Sequence, residues 1–207
     1  MMKIKKYSIF EASATWDDFI NKVNTGIIPK DKADIKVIDK LSKLTPNNGV
    51  VLDLSFGDGA NSEYFIEKGF DLYGTDISKL AVETMEEKFP DSNWIEHDTL
   101  DKFPFSDEKF DLVFARLALH YFKKDDIKNV LFDINRIMKT NSYLYVMVKC
   151  SNTGEIDTGK VSYTKDDWID MISEEFEVVE YENNTKKAYS FEKSASNLLE
   201  IIAKKIK

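Results

Sequence analysis

Two glycines follow directly after an apolar stretch in residues 50–61, which read VVLDLSFGDGAN. Gly57 and Gly59 would let the backbone approach a ligand without a clash from a Cβ atom. The helix that should follow presents unpaired N–H groups, which favour a carboxylate or a phosphate. Asp76 lies 19 positions after Gly57, at the expected end of a second strand, where a carboxylate can accept both hydroxyls of a ribose. The pattern therefore predicts a site for a nucleoside cofactor.

The spacing of the loop residues separates the candidate cofactors. Dinucleotide sites of the NAD type carry G-x-G-x-x-G, whereas positions 55–60 read Ser-Phe-Gly-Asp-Gly-Ala and lack the third glycine. Asp53 lies inside the predicted first strand, and a buried acid is costly unless it orders the loop or faces a cation. A ligand with an ammonium group would suit Asp53, so an NAD-dependent reductase is the weaker alternative.

The elements that must position these residues follow from hydrophobic periodicity. Apolar residues at helical spacing, with Leu44 the last of them, predict two N-terminal helices before the turn residues 46–49. Seven strands are then predicted, and the helices between them favour a mostly parallel, Rossmann-like doubly wound sheet in an α/β fold. The stretch before the last strand has no helical pattern, which predicts an antiparallel C-terminal edge hairpin. The predicted strands are 50–54, 70–74, 93–96, 110–115, 143–148, 176–181 and 198–203, and the helices among them are 61–68, 78–88, 125–138 and 164–175.

Composition limits the class of protein. The chain has 207 residues, 43% of them hydrophobic, which predicts a single domain over 1–207 with a helical lid or cap segment at 1–49 and a core at 50–207. A net charge of −8 argues against nucleic acid and anionic membranes as partners. A single cysteine, Cys150, and the lack of a long apolar run predict a cytoplasmic protein. With two histidines and one cysteine no metal site is predicted.

Four blocks of sequence, in this order, resemble the class I S-adenosylmethionine-dependent methyltransferases. They are VLDLSFGDG, LYGTDIS, WIEHDTL and FDLVFARLALHYF, and the likeness covers roughly residues 30–207. The run at 59–63, Gly-Ala-Asn-Ser-Glu, is most similar to small-molecule enzymes of the tellurite-resistance and thiopurine type. The resemblance implies a seven-stranded Rossmann-like sheet, S-adenosyl-L-methionine as cofactor and a small-molecule acceptor, in a monomer or homodimer.

The resemblance also implies a role for individual residues. Asp53 and the glycine loop match the part that surrounds the methionine end of the cofactor. Asp76 matches the acid that binds the ribose, and Asp98 the acid that meets the adenine amino group. Arg116 lies where the family lines the methionine end and the mouth of the substrate site. The implied cofactor-binding set is Asp53, Ser55, Gly57, Gly59, Asn61, Asp76, Ile77, Asp98, Thr99 and Arg116.

The chain departs from the family pattern at two adjacent positions. Ser55 replaces the first glycine of the usual G-x-G-x-G, and Phe56 stands where a small residue is common. The Ser55 hydroxyl could bond the cofactor; the alternative is a noncatalytic relative that binds the cofactor weakly or binds a partner protein. His120 is the candidate general base, although a packing role is the simpler interpretation, because methyl transfer often needs only alignment. A methyltransferase acting on macromolecules is disfavoured, since neither a basic face nor an added recognition domain is visible in the sequence.

Overall fold

The computed structural model describes residues 9–151, 163–186 and 196–206 of the chain. Helices and strands alternate through most of this length, as the periodicity predicts. The helices are α1 (Ile9–Asn24), α2 (Ile35–Leu41), α3 (Ala60–Glu67), α4 (Lys79–Lys88), α5 (Lys124–Ile137) and α6 (Lys165–Ser173), with a short 3-10 helix at Leu119–Tyr121. The strands are β1 (Val50–Leu54), β2 (Asp71–Asp76), β3 (Asn93–Glu96), β4 (Phe110–Arg116), β5 (Met138–Lys149), β6 (Glu177–Lys186) and β7 (Ser196–Lys204).

The strands form one seven-stranded sheet in the order β3-β2-β1-β4-β5-β7-β6. The five strands β1 to β5 are parallel neighbours, whereas β7 pairs antiparallel with both β5 and β6. The predicted α/β fold with an antiparallel C-terminal hairpin at the edge is therefore confirmed. The strand order reverses between β1 and β4, and in open α/β sheets ligands bind at the carboxyl ends of the strands beside such a reversal.

Two apolar clusters bury the two faces of the sheet. One contains the inward residues of α5 and α6, such as Ile134 and Trp168, both fully buried. The other contains side chains of α2, α3 and α4, including Ile38, Phe65 and Met85. Because helices cover both faces, a ligand can reach the sheet most directly at the strand ends and the loops that follow them.

Local signals in the sequence explain where several helices begin and end. The Ser78 hydroxyl accepts the N–H of Ala81 and caps α4, and Thr164 forms a capping box with Asp167 at the start of α6. Gly69 follows α3 with φ of 84°, a left-handed conformation that glycine adopts without strain. Serine, threonine and glycine are the residue types that favour caps at these positions.

Some predicted boundaries were wrong. Leu44 is not part of α2, which ends at Leu41, and its side chain is 39% exposed in the turn that follows. β2 runs on to Asp76 rather than ending at residue 74, because its partners β1 and β3 continue the hydrogen-bond ladder. β5 begins at Met138, immediately after α5, since Phe110 of β4 pairs with it there. The stretch predicted to lack a helix between β6 and β7 lies largely outside the described residues.

Within the described part of the chain, no helix combines the length and the apolar character needed to cross a membrane.

Gly74 in the middle of β2 is a position where the fold depends on a missing side chain. A Cβ atom there would lie 2.5 Å from the Trp94 ring and 2.8 Å from Phe56 Cδ1. We therefore expect Gly74→Ala to lower the free energy of unfolding by about 1–3 kcal/mol, measured by chemical denaturation. The loss should shrink in a Trp94→Leu background, where the ring is gone. An equal loss in both backgrounds would contradict this account of Gly74.

Candidate functional site at the carboxyl ends of the strands

Three residues of the loop between β1 and α3 have a left-handed backbone conformation. Ser55, Gly57 and Gly59 have φ of 57°, 61° and 75°. A Cβ atom on Gly59 would lie 2.4 Å from Met85 Sδ, whereas one on Gly57 would meet nothing within 4 Å. Gly59 is thus required by packing as well as by its backbone, while Gly57 borders open space on the side where a ligand would lie. Both glycines suit a loop whose backbone approaches a ligand closely.

Asp76, the last residue of β2, ties this loop to the next one. Its Oδ2 accepts the N–H of Gly57 at 2.9 Å, and its Oδ1 accepts the N–H of Ser78 at 2.9 Å. The residue is 7% exposed, and burial raises the pKa of Asp76 to about 6, although the N–H bonds from Ser78 and Gly57 oppose that rise. The acid predicted for the ribose therefore lies beside the glycine loop, at the position the sequence predicted.

Asp53 lies one strand away and is even more deeply buried, at 2% exposed. Its Oδ2 accepts the hydroxyl of Ser62, in the first turn of α3, at 2.6 Å. Burial raises the pKa of Asp53 to about 7, with the Ser62 bond opposing the rise and the charge of Asp76 adding to it. Of the two roles open to Asp53, ordering the start of α3 is directly visible in this contact.

The loop after β3 completes this side of the site. Asp98 Oδ1 accepts the N–H of Leu100 at 2.9 Å, which closes a tight turn. Thr99, 5% exposed, places its hydroxyl 3.1 Å from the Ser55 hydroxyl, a hydrogen bond in which either can donate. Ile77 is half-buried and directly follows Asp76. Ser55 and Asp76 are thus in hydrogen-bonded contact with neighbouring loops.

Arg116, the last residue of β4, is engaged by the segment that precedes α2. Its Nη1 donates to Asp31 Oδ2 at 3.2 Å, and its Nε lies 3.9 Å from Asp34 Oδ2. The same segment bonds to the glycine loop, since the N–H of Asp31 donates to Asp58 Oδ2 at 2.6 Å and that of Asp34 to Asn61 Oδ1 at 2.9 Å. The N-terminal segment therefore lies directly over the predicted methionine end of the site.

Helix α1 covers the other end of the same region. Asp17 Oδ1 accepts the Ser78 hydroxyl at 2.5 Å and the N–H of Leu80 at 3.1 Å, at the start of α4. The Trp16 ring lies 5.8 Å from the Tyr121 ring in an edge-on arrangement. Of the aromatic residues near α1, Tyr7 and the side chain of Phe10 lie outside the described part of the chain.

His120 belongs to the short 3-10 helix after β4 rather than to the start of an α-helix. Its ring lies 4.2 Å from that of Tyr121, and the exposure of the residue is intermediate. The ring of His120 thus packs against Tyr121, which also contacts Trp16 of α1. Cys150 is buried and its desolvation raises the pKa of the thiol, as expected of a buried thiol rather than a nucleophile.

Four acidic residues of the site were not singled out from the sequence. Three of these acids lie in the N-terminal segment, far from the glycine loop in the sequence, and the fourth lies within that loop. Their spacing in the sequence does not indicate that they belong to one site. Only the tertiary fold brings them together: Asp17, Asp31, Asp34 and Asp58.

Comparison with known proteins adds an independent line of evidence. A family model described as a methyltransferase domain matches residues 52–146, the span from β1 into β5 that contains every predicted site residue. An uncharacterized methyltransferase of Synechocystis sp. is 27% identical over 89 residues. That match spans 43% of this chain and 42% of the relative, so less than half of either protein is compared.

Solved structures show the same architecture over most of the chain. A SAM-dependent methyltransferase from Methanosarcina mazei superposes with a TM-score of 0.71 at 15% identity, covering 86% of this chain and 99% of that one. The 1,6-didemethyltoxoflavin-N1-methyltransferase of Burkholderia thailandensis, solved with 1,6-didemethyltoxoflavin and S-adenosylhomocysteine, gives 0.68 at 16% identity, covering 98% and 92%. At these sequence identities, the structural likeness establishes a shared fold and nothing finer.

These comparisons confirm the predicted resemblance to class I S-adenosylmethionine-dependent methyltransferases, through the domain match over residues 52–146 and the shared fold. The domain match supports methyl transfer as the chemistry.

The buried acid Asp53 should make stability depend on pH. Its pKa in the folded protein, about 7, lies above its usual value of 3.8, so folding favours the protonated form and stability falls as pH rises through that window. Asp53→Asn keeps the shape and an acceptor for Ser62 without the charge. We expect it to raise the free energy of unfolding by roughly 2–4 kcal/mol at pH 8 and by about half as much or less at pH 5, because pH 5 already lies above the pKa of the unfolded state.

Thermal denaturation of both proteins at the two pH values measures this difference, with Asp71→Asn at the exposed start of β2 as the matched control. A gain for Asp53→Asn that is the same at pH 5 and pH 8 would show that Asp53 does not titrate in this window.

Proposed function

We propose that this protein transfers the methyl group of S-adenosyl-L-methionine to a small-molecule acceptor. The observation that carries the proposal is the buried carboxylate of Asp76, bonded to the N–H of Gly57 at the end of β2, beside the reversal of strand order. A carboxylate in this place suits the two hydroxyls of a ribose. A Cβ atom at Gly57 would meet nothing within 4 Å, so the backbone of the loop is open for close approach by a ligand at this point.

The remaining residues fit the other parts of the cofactor. Ile77 and the turn at Asp98 would border the adenine, and Asp98 would accept its amino group. Arg116 would offer a guanidinium to the carboxylate of the methionine part, and Asn61 at the start of α3 contacts the same 31–34 segment as Arg116 does. Asp53 supplies negative charge beneath the loop, which would favour the cationic ammonium and sulfonium of the ligand.

Bound S-adenosyl-L-methionine would supply an electrophilic methyl group, activated by its positively charged sulfur. The task of the protein is then to align the acceptor with that methyl group and to exclude water. Trp16 and Tyr121 at the mouth would help to exclude water, and His120 could accept a proton from an acceptor that must lose one.

The N-terminal residues 1–49 are proposed to act as the cap of this site. Within the described part, Asp17 binds the start of α4, while Asp31 and Asp34 bind Arg116 and the glycine loop. These contacts bridge the proposed ribose and methionine ends, so a ligand between them would be enclosed. Enclosure within one small domain, together with the net charge of −8, supports a small acceptor rather than a nucleic acid.

A second candidate function is a relative of the methyltransferases that binds the cofactor without catalysing transfer. Ser55 in place of the usual glycine is the observation that favours it. The two candidates share cofactor binding and differ in turnover of S-adenosyl-L-methionine in the presence of an acceptor. Screening thiols, amines and hydroxyl compounds for release of S-adenosylhomocysteine separates them.

Cofactor binding should depend on Asp76 far more than on His120. We expect Asp76→Ala to raise the Kd for S-adenosylhomocysteine by about tenfold or more in isothermal titration, because hydrogen bonds to a charged acceptor are lost. Asp76→Asn, which retains one acceptor oxygen, should lie between Asp76→Ala and the wild type. His120→Ala should change the Kd by less than about threefold.

Asp71→Ala, at the exposed start of the same strand, is the matched control and should bind as the wild type does. Equal losses for Asp76→Ala and His120→Ala, with both proteins folded by circular dichroism, would mean that the ribose is not bound at Asp76. No binding by the wild type would overturn the proposed function.

A further inference from the structure

Ser55 adopts a backbone conformation that its side chain disfavours. Its φ is 57°, in the left-handed region where glycine is at ease and residues with a Cβ atom are strained. The residue directly follows β1, at the place where the glycine loop begins. Strain of this kind persists only where surrounding contacts hold the residue, and it concentrates at functional sites. The contacts of Ser55 therefore identify what its side chain does.

The Ser55 hydroxyl reaches across the end of β2 to the loop that follows β3. It lies 3.1 Å from the Thr99 hydroxyl, and Thr99 is 5% exposed. In the sheet, β2 separates β1 from β3, so this hydrogen bond joins two loops that are not neighbours along the sheet. A glycine at position 55 could not make this bond, because the bond uses the side-chain oxygen.

Phe56 makes a second connection to the same part of the structure. Its ring is 5% exposed and lies 5.0 Å from the Trp94 ring of β3 in an edge-on arrangement. Both rings rest on the bare backbone of Gly74 in β2. Ser55 thus contacts the loop after β3 through its hydroxyl, and Phe56 contacts β3 itself through its aromatic ring.

These two contacts flank the residues proposed to hold the nucleoside. Asp76 lies on the strand between the two loops, and its carboxylate accepts the N–H of Gly57. On the far side, Asp98 adjoins Thr99 and closes the turn with the N–H of Leu100. A hydroxyl bridge between Ser55 and Thr99 therefore fixes the loop of the proposed ribose acid relative to the loop of the proposed adenine acid.

We propose that Ser55 is a positioning residue for the adenosine half of the cofactor, acting through its hydroxyl bridge to Thr99. The inference rests on the proposed function, because it assigns the ligand between the two loops to that cofactor. Ser55 in place of glycine then marks a pre-organised site instead of a weakened one. Pre-organisation favours binding by lowering the ordering cost that the ligand must otherwise offset.

A residue that served stability alone would behave differently from a positioning residue. Ser55→Gly relieves the left-handed strain and removes the bridge in a single change, so its effects on stability and on binding should have opposite signs. Ser55→Ala removes the bridge and keeps the strain. Thr99→Val removes the partner hydroxyl with little change in volume.

The test combines isothermal titration with hydrogen exchange on the full chain. We expect Ser55→Gly to have a melting temperature equal to or above that of the wild type, and to bind S-adenosylhomocysteine about 5–20 times more weakly. Thr99→Val should show a similar loss of affinity, and the double variant no further loss, because the two changes break the same bond. The loss should be the same for 5′-methylthioadenosine, which lacks the amino-acid end.

Hydrogen exchange of the ligand-free protein supplies a readout that does not depend on the cofactor. The amides of residues 97–101 should exchange faster in Ser55→Gly and in Thr99→Val than in the wild type. Unchanged exchange, or a Ser55→Gly protein that binds as tightly as the wild type, would overturn the inference while leaving the proposed function intact. A wild-type chain that binds neither nucleoside would overturn the proposed function and this role of Ser55 with it.

Discussion

The site depends on carboxylates that are buried at the ends of two neighbouring parallel strands. Asp76 bonds the N–H groups of Gly57 and Ser78, and through them it holds the loops that follow β1 and β2. Asp53 bonds Ser62 at the start of α3. Burial raises the pKa of each acid, so the fold accepts unfavourable charge at this edge. Such placement is typical of functional sites, where groups are held in states that water would not favour.

The N-terminal segment proposed as the cap makes further contacts with these loops. Asp31 and Asp34 reach Arg116 and the glycine loop, and Asp17 reaches the start of α4. Because the cap makes these contacts with the loops themselves, its position is coupled to theirs. A ligand between the loops would be held by the sheet edge below and by the cap above, and this enclosure is what methyl transfer by alignment requires.

Much of the framework could be predicted from the sequence, because it is encoded locally. The period of the apolar residues indicates the strands. Ser78 and Thr164 are of residue types that mark helix starts, and the motif blocks indicate the place of Asp76. The ends of β2 and β5 could not be predicted in this way, since they depend on how far the partner strands continue. The cap contacts were equally invisible, because they join segments that are distant in sequence.

Ser55 and Phe56 show most clearly that a local sequence pattern does not reveal contacts between segments that are distant in the sequence. From the sequence, a serine in the glycine pattern could mean either a retained or a weakened site. The structure gives both residues contacts with Thr99 and Trp94, which no local pattern indicates. Sequence motifs therefore located the loop, and only the three-dimensional packing revealed how its unusual residues are used.

The most direct test of the central claim is a crystal structure of the protein grown with S-adenosylhomocysteine. The account predicts the ribose hydroxyls on the Asp76 carboxylate, the adenine beside Asp98 and Thr99, and the amino-acid end toward Arg116. A nucleoside bound elsewhere, or a ribose that does not contact Asp76, would contradict it.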